Sequence, residues 1–126
     1  MIFLRAILLT FLFFFTGCVK EVPPNQLTLD ENKTSGIVSR NGIITINLKG
    51  NATTGYVWSV FNDGTPCLKF RKEQYDGTSP ELIGSGGVST FKFEALKRGT
   101  ATVEFKYGRT WELSSVKSAT FKITVK

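Results

Sequence analysis

The chain has 126 residues and a formal net charge of +6, with no histidine and two cysteines. Its length suits one domain rather than two. Without histidine, Ser-His-Asp and Cys-His catalysis and most zinc sites are excluded, so neither an enzyme nor a metal or cofactor protein is expected.

The N-terminus reads as an export signal. Arg5 is followed by an apolar run from Ala6 to Phe15, and Thr16-Gly17-Cys18 supplies small residues at a cleavage point. The run is too short to span a bilayer comfortably. Phe15-Thr16-Gly17-Cys18 also resembles a bacterial lipobox, with Phe15 in place of the usual aliphatic residue. Residues 1–17 are therefore expected to be removed, with Cys18 the lipidated first residue of the mature chain. Acyl chains contribute about 0.8 kcal/mol per buried methylene. The protein is expected to be exported and held in a bacterial cell envelope, facing the periplasm or the cell surface, or secreted if not lipidated. Residues 18–26 contain Pro23-Pro24 and read as a tether, because paired prolines stay extended and cannot join a ladder. With Cys18 lipidated, Cys67 has no cysteine partner, and no disulfide is expected. Cys67 then reads as a small, partly buried apolar residue.

From residue 27 onward the pattern has period 2. A weak strand is expected within Gln26 to Asp30 and a short edge piece within Ser35 to Arg40. Six stronger runs follow. They are Ile44-Ile46-Leu48, Tyr56-Trp58-Val60, Leu68-Phe70, Phe91-Phe93, Val103-Phe105-Tyr107 and Phe121-Ile123-Val125, each alternating with polar or outward positions. Asn41-Gly42, Asn62-Asp63-Gly64, Asp76-Gly77 and Arg98-Gly99 punctuate them. No stretch has helical periodicity of useful length. Residues 27–126 are predicted to form an all-β, immunoglobulin-like antiparallel sandwich of about seven strands, with Trp58, Phe91, Phe93, Phe105 and Phe121 buried. Lysines are dispersed along the strands with no basic run, so no nucleic-acid partner is expected. A monomer is expected.

Three segments between strands stand out: Asn51-Ala52-Thr53-Thr54-Gly55-Tyr56, Gly84-Ser85-Gly86-Gly87 and Arg109-Thr110-Trp111. Taken singly, each reads as a surface turn. In a seven-strand sandwich, however, the loops at these three places gather at one end. The first offers two small hydroxyl residues at a tip, and the second a backbone free of Cβ atoms that a partner can approach closely. The third offers an exposed arginine and tryptophan, residue types enriched at binding hot spots. Tyr107 ends the alternation and Gly108 breaks it, which places Arg109 and Trp111 beyond the strand.

Together, in this order, these segments resemble the Asn-Pro-Thr-Thr-Gly-aromatic, Gly-x-Gly-Gly and Arg-Pro-Trp loops of the chagasin family. That family inhibits papain-like cysteine peptidases. Ala52 and Thr110 stand where its pattern has proline. The resemblance implies an inhibitor whose Thr53-Thr54 tip enters the catalytic cleft of a papain-like cysteine peptidase. Gly84, Gly86 and Gly87 would lie on the non-primed side, and Arg109 and Trp111 on the primed side. Asn51, Gly55 and Tyr56 complete the expected contact set, and inhibition would be reversible and competitive. The alternative of a different class is a surface-anchored immunoglobulin-like adhesion module.

Overall fold

The computed structural model describes residues 22–51, 54–77, 86–112 and 114–126. Eight strands follow one another: β1 (Gln26–Asp30), β2 (Ser35–Val38), β3 (Ile43–Gly50), β4 (Tyr56–Asp63), β5 (Leu68–Asp76), β6 (Gly87–Ala95), β7 (Gly99–Arg109) and β8 (Lys117–Val125). They form two four-stranded sheets, in the orders β1-β3-β6-β5 and β2-β8-β7-β4. No helix of useful length interrupts them among the described residues.

The all-β sandwich is thus the expected class, with two refinements. Both weak N-terminal segments are full strands, giving eight rather than seven. Both also pair in parallel, β1 with β3 and β2 with β8, so each sheet is mixed. The chain path explains this. β1 runs up the edge of one sheet, a turn carries the chain across, and β2 runs down the edge of the other. β1 and β2 therefore lie in different sheets, and each docks beside a strand running in its own direction. The remaining pairs are antiparallel.

The alternating residues meet between the sheets. Trp58 is buried, and Phe91, Phe93, Phe105 and Phe121 are completely so, beside Leu29, Ile44, Ile46, Leu48, Val103 and Ile123. The rings pack at offset or edge-on angles: Phe105 lies 4.6 Å from Phe91, 6.2 Å from Phe93 and 5.7 Å from Phe121, between centroids. Such pairs add about 0.5–1.5 kcal/mol each beyond the area they bury. The alternation fails in β5. Leu68 is buried, but every later residue of that strand is exposed, Phe70 included. Phe70 lies beside Phe93, with ring centroids 5.5 Å apart, but β5 is an edge strand that leaves it exposed, and a register shift follows between Phe70 and Lys72. Cys67 is free and half-buried beside the core.

Strand register places the functional segments. β3 ends with Gly50 opposite Gly87, and Asp76 at the end of β5 lies opposite Val88. In the other sheet Tyr56 faces Arg109, and Tyr107 faces Lys117. The β3–β4, β5–β6 and β7–β8 connections therefore emerge at the same end of the sandwich.

Candidate functional site

This end is built on one row of side chains. Tyr56 and Trp58 share the inner face of β4, and Tyr107 and Arg109 share the inner face of β7. Register makes them direct neighbours, Trp58 with Tyr107 and Tyr56 with Arg109. Trp58 and Tyr107 lie 4.9 Å apart between ring centroids, and Tyr107 stacks on Tyr56 at 5.6 Å. The Arg109 guanidinium sits 4.4 Å above the Tyr56 ring and 5.7 Å from that of Trp111. Aromatic faces carry partial negative charge, so each contact favours the cation. The row thus runs outward from a tryptophan that is 3% exposed to one that is 68% exposed.

Arg109 is consequently not a loop residue. β7 continues through Gly108 to Arg109, past the point where the alternation stops in the sequence. Gly108 hides the continuation because it has no side chain to mark a face, while the returning β7–β8 connection packs against it, with Ser115 Cα 3.3 Å from the place a Cβ would occupy. Arg109 is half-buried rather than exposed. It points into the inter-sheet space just where the opposite sheet stops at Gly50 and Gly87. Its Nη1 lies 3.4 Å from Glu112 Oε1, and the turn closes with the Glu112 N–H donating to the Arg109 carbonyl at 3.1 Å. Arg109 Nε is buried with no hydrogen-bond partner among the described residues.

The first segment is rooted in the same row. The Tyr107 hydroxyl accepts from the Asn51 N–H at 2.9 Å, and Trp58 Nε1 donates to the Lys49 carbonyl at 2.9 Å. Thr54 donates from its hydroxyl to the Asn51 carbonyl at 2.7 Å, closing the loop on itself. Gly55 has φ +83°. A Cβ there would fall 2.6 Å from Trp111 Cη2, so the indole lies directly on this glycine. The first and third segments are in contact.

At the second segment, Gly86 has φ +86° and packs against the Gly50 carbonyl, while a Cβ on Gly87 would come within 2.8 Å of Gly77 Cα and closer still to the Asp76 carbonyl. Both positions require glycine. Lys117 Nζ caps the base of the row, 4.9 Å from the Tyr107 centroid and 5.3 Å from that of Trp58. A groove of about 260 Å³ runs beside the third segment on the outer face, between Val57, Ser59 and Ser115.

Of the expected contact residues, Asn51, Thr54, Gly55, Tyr56, Gly86, Gly87, Arg109 and Trp111 lie at this end. Thr53 and Gly84, like Cys18, fall outside the described residues. The sequence reading missed Tyr107 as the residue that ties the first segment down. Its signal was present: it sits on the same strand face as Phe105 and two residues before Arg109. Among the described residues no cluster of His, Cys, Asp or Glu could hold a metal.

The family model described as "Chagasin family peptidase inhibitor I42" matches residues 37–125. The chain belongs to the chagasin family. It is therefore a cysteine peptidase inhibitor and not an enzyme. Amoebiasin-2 of Entamoeba histolytica is 26% identical over 120 residues, covering 92% of this chain and 98% of that protein. A cysteine protease inhibitor from Entamoeba histolytica superposes with a TM-score of 0.69 at 23% identity, covering 80% of this chain and 96% of the other. A further neighbour, PbICP-C solved in complex with falcipain-2, superposes with a TM-score of 0.54 at 19% identity, covering 83% and 95%. The two structural likenesses concern the fold.

Proposed function

We propose that this chagasin-family protein inhibits papain-like cysteine peptidases reversibly and competitively, by wedging its three-segment end into the active-site cleft. The observation that carries this is the convergence of Asn51-Thr54-Gly55, Gly86-Gly87 and Arg109-Trp111 at one end of the sandwich, with Trp111 seated on Gly55. The Thr53-Thr54 tip would block access to the catalytic thiol without presenting a scissile bond in attack geometry. Gly84 to Gly87 would supply backbone for strand-like pairing, and Trp111 with Arg109 a hot spot on the primed side. Contacts already made within the protein offset the lost prolines. The Arg109–Glu112 turn and the indole on Gly55 limit the freedom that binding would otherwise remove.

The same reading covers the N-terminus. Residues 1–17 act as a lipoprotein-type signal, and Cys18 carries the lipid that anchors a monomeric 27–126 inhibitor domain in a bacterial envelope. Mass spectrometry of the native protein tests this part. An unmodified Cys18 would remove the anchor and leave the inhibitor domain intact.

The inhibition test is a titration of papain and of chymotrypsin with residues 18–126. Papain loses activity with a substrate dependence that is competitive, recovers on dilution, and chymotrypsin is unaffected. A folded protein that leaves several papain-like enzymes untouched at micromolar concentration would favour the adhesion module instead.

A further inference from the structure

The end of the sandwich opposite the inhibitory segments has a character of its own. The described chain enters here: the Pro24 carbonyl accepts from the Ser39 N–H at 2.8 Å, and the Asn25 carbonyl from the Ile43 N–H at 2.9 Å. β1 and β3 then run together from this end toward the inhibitory one. The β2–β3 and β6–β7 turns lie here as well, joined by the Asn41 N–H donating to the Ala95 carbonyl at 2.8 Å. The Arg40 N–H donates to the Lys126 carbonyl at 3.1 Å. Arg40, Lys97, Arg98 and Lys126 are therefore gathered on one pole, and all four are exposed. The acids nearby are few. Asp63 is bonded to the Thr65 hydroxyl and N–H, which hold its carboxyl below its ordinary range, and Glu94 is paired with Arg71.

The position of the tether gives this charge a direction. Pro24 is six residues beyond Cys18, a reach of at most about 20 Å even when fully extended. A lipid on Cys18 would hold this pole, and no other, close to a bilayer surface. We infer that the Arg40, Lys97, Arg98 and Lys126 pole is a docking surface for the anionic phospholipid headgroups of the membrane in which the protein is anchored. The inhibitory segments then point away from the membrane, toward solvent. The orientation rests on the anchoring reading above, whereas the affinity of the pole for headgroups does not. Near an anionic surface each basic side chain raises partition roughly fivefold, an effect that salt screens over about 8 Å at physiological ionic strength.

The test uses residues 18–126 with Cys18→Ser, which retain all eight strands and the whole core but cannot be acylated. Binding to phosphatidylcholine vesicles, with and without 30% phosphatidylglycerol, is measured by co-sedimentation at low and high salt. Three proteins are compared: the Cys18→Ser protein, a pole variant (R40Q, K97Q, R98Q, K126Q), and a side variant of equal charge change (K72Q, K92Q, K106Q, K122Q). The expected result is binding to the anionic vesicles alone, abolished by high salt, at least tenfold weaker in the pole variant and nearly retained in the side variant. Thermal unfolding verifies that each is folded, so failure here is distinguishable from failure of inhibition, which papain reports separately. Equal binding to both vesicle types, or equal loss in both variants, would overturn the inference.

Discussion

Trp58 and Trp111 stand at the two ends of one row of side chains, and they serve different purposes. Trp58 is enclosed by both sheets and bonded through its indole N–H to the Lys49 carbonyl. Trp111 lies on the surface, seated on Gly55 and facing Arg109. The same residue type is a stability element at one end and a recognition element at the other. What separates them is where the opposing sheet stops. Inner-face positions below Gly50 and Gly87 are covered, while those above project into solvent with the geometry of a strand but the availability of a loop. Tyr107 and Tyr56 occupy the transition, half-buried, and fix the loops to the body.

Substitutions can break this contrast at each level. Trp58→Ala should have the largest effect, lowering unfolding free energy by roughly 3–5 kcal/mol, as removal of a buried large aromatic typically does; chemical denaturation measures it. Gly55→Ala should cost about 1–2 kcal/mol through its positive φ. It should also displace Trp111, so inhibition weakens more than stability alone would dictate. Tyr107→Phe removes the acceptor for the Asn51 N–H and should cost about 1 kcal/mol, with faster hydrogen exchange at Asn51 as its signature. Glu112→Gln should change stability by less than about 0.5 kcal/mol, because the Arg109–Glu112 contact is long, at 3.4 Å, and Glu112 is open to solvent, and any effect should appear in the inhibition constant.

Much of this was legible in the sequence. Period-2 runs identified the strands and the five buried aromatics, since a half-covered sheet leaves no other pattern. The three segments were also identified, not singly but by their order and their shared place at one end of the expected sandwich. What stayed hidden was relational. The parallel docking of β1 and β2 depends on which sheet each segment joins, and local pattern carries no such information. Gly108 concealed the last two residues of β7. Phe70 alternates like a core residue and packs beside Phe93, but its place on an edge strand leaves it exposed. The contact of Trp111 with Gly55 arises only when β4 and β7 pair, because the two residues are far apart in the chain.

The most direct measurement is made on Trp111→Ala, with papain inhibition and equilibrium unfolding determined on the same preparation. Inhibition should weaken by on the order of 2 kcal/mol, about thirtyfold, as for an aromatic hot spot. The unfolding free energy should stay within about 0.5 kcal/mol of the parent, as for a surface side chain. A variant that unfolds readily would make Trp111 part of the core. One that inhibits as well as the parent would remove the third segment from the wedge.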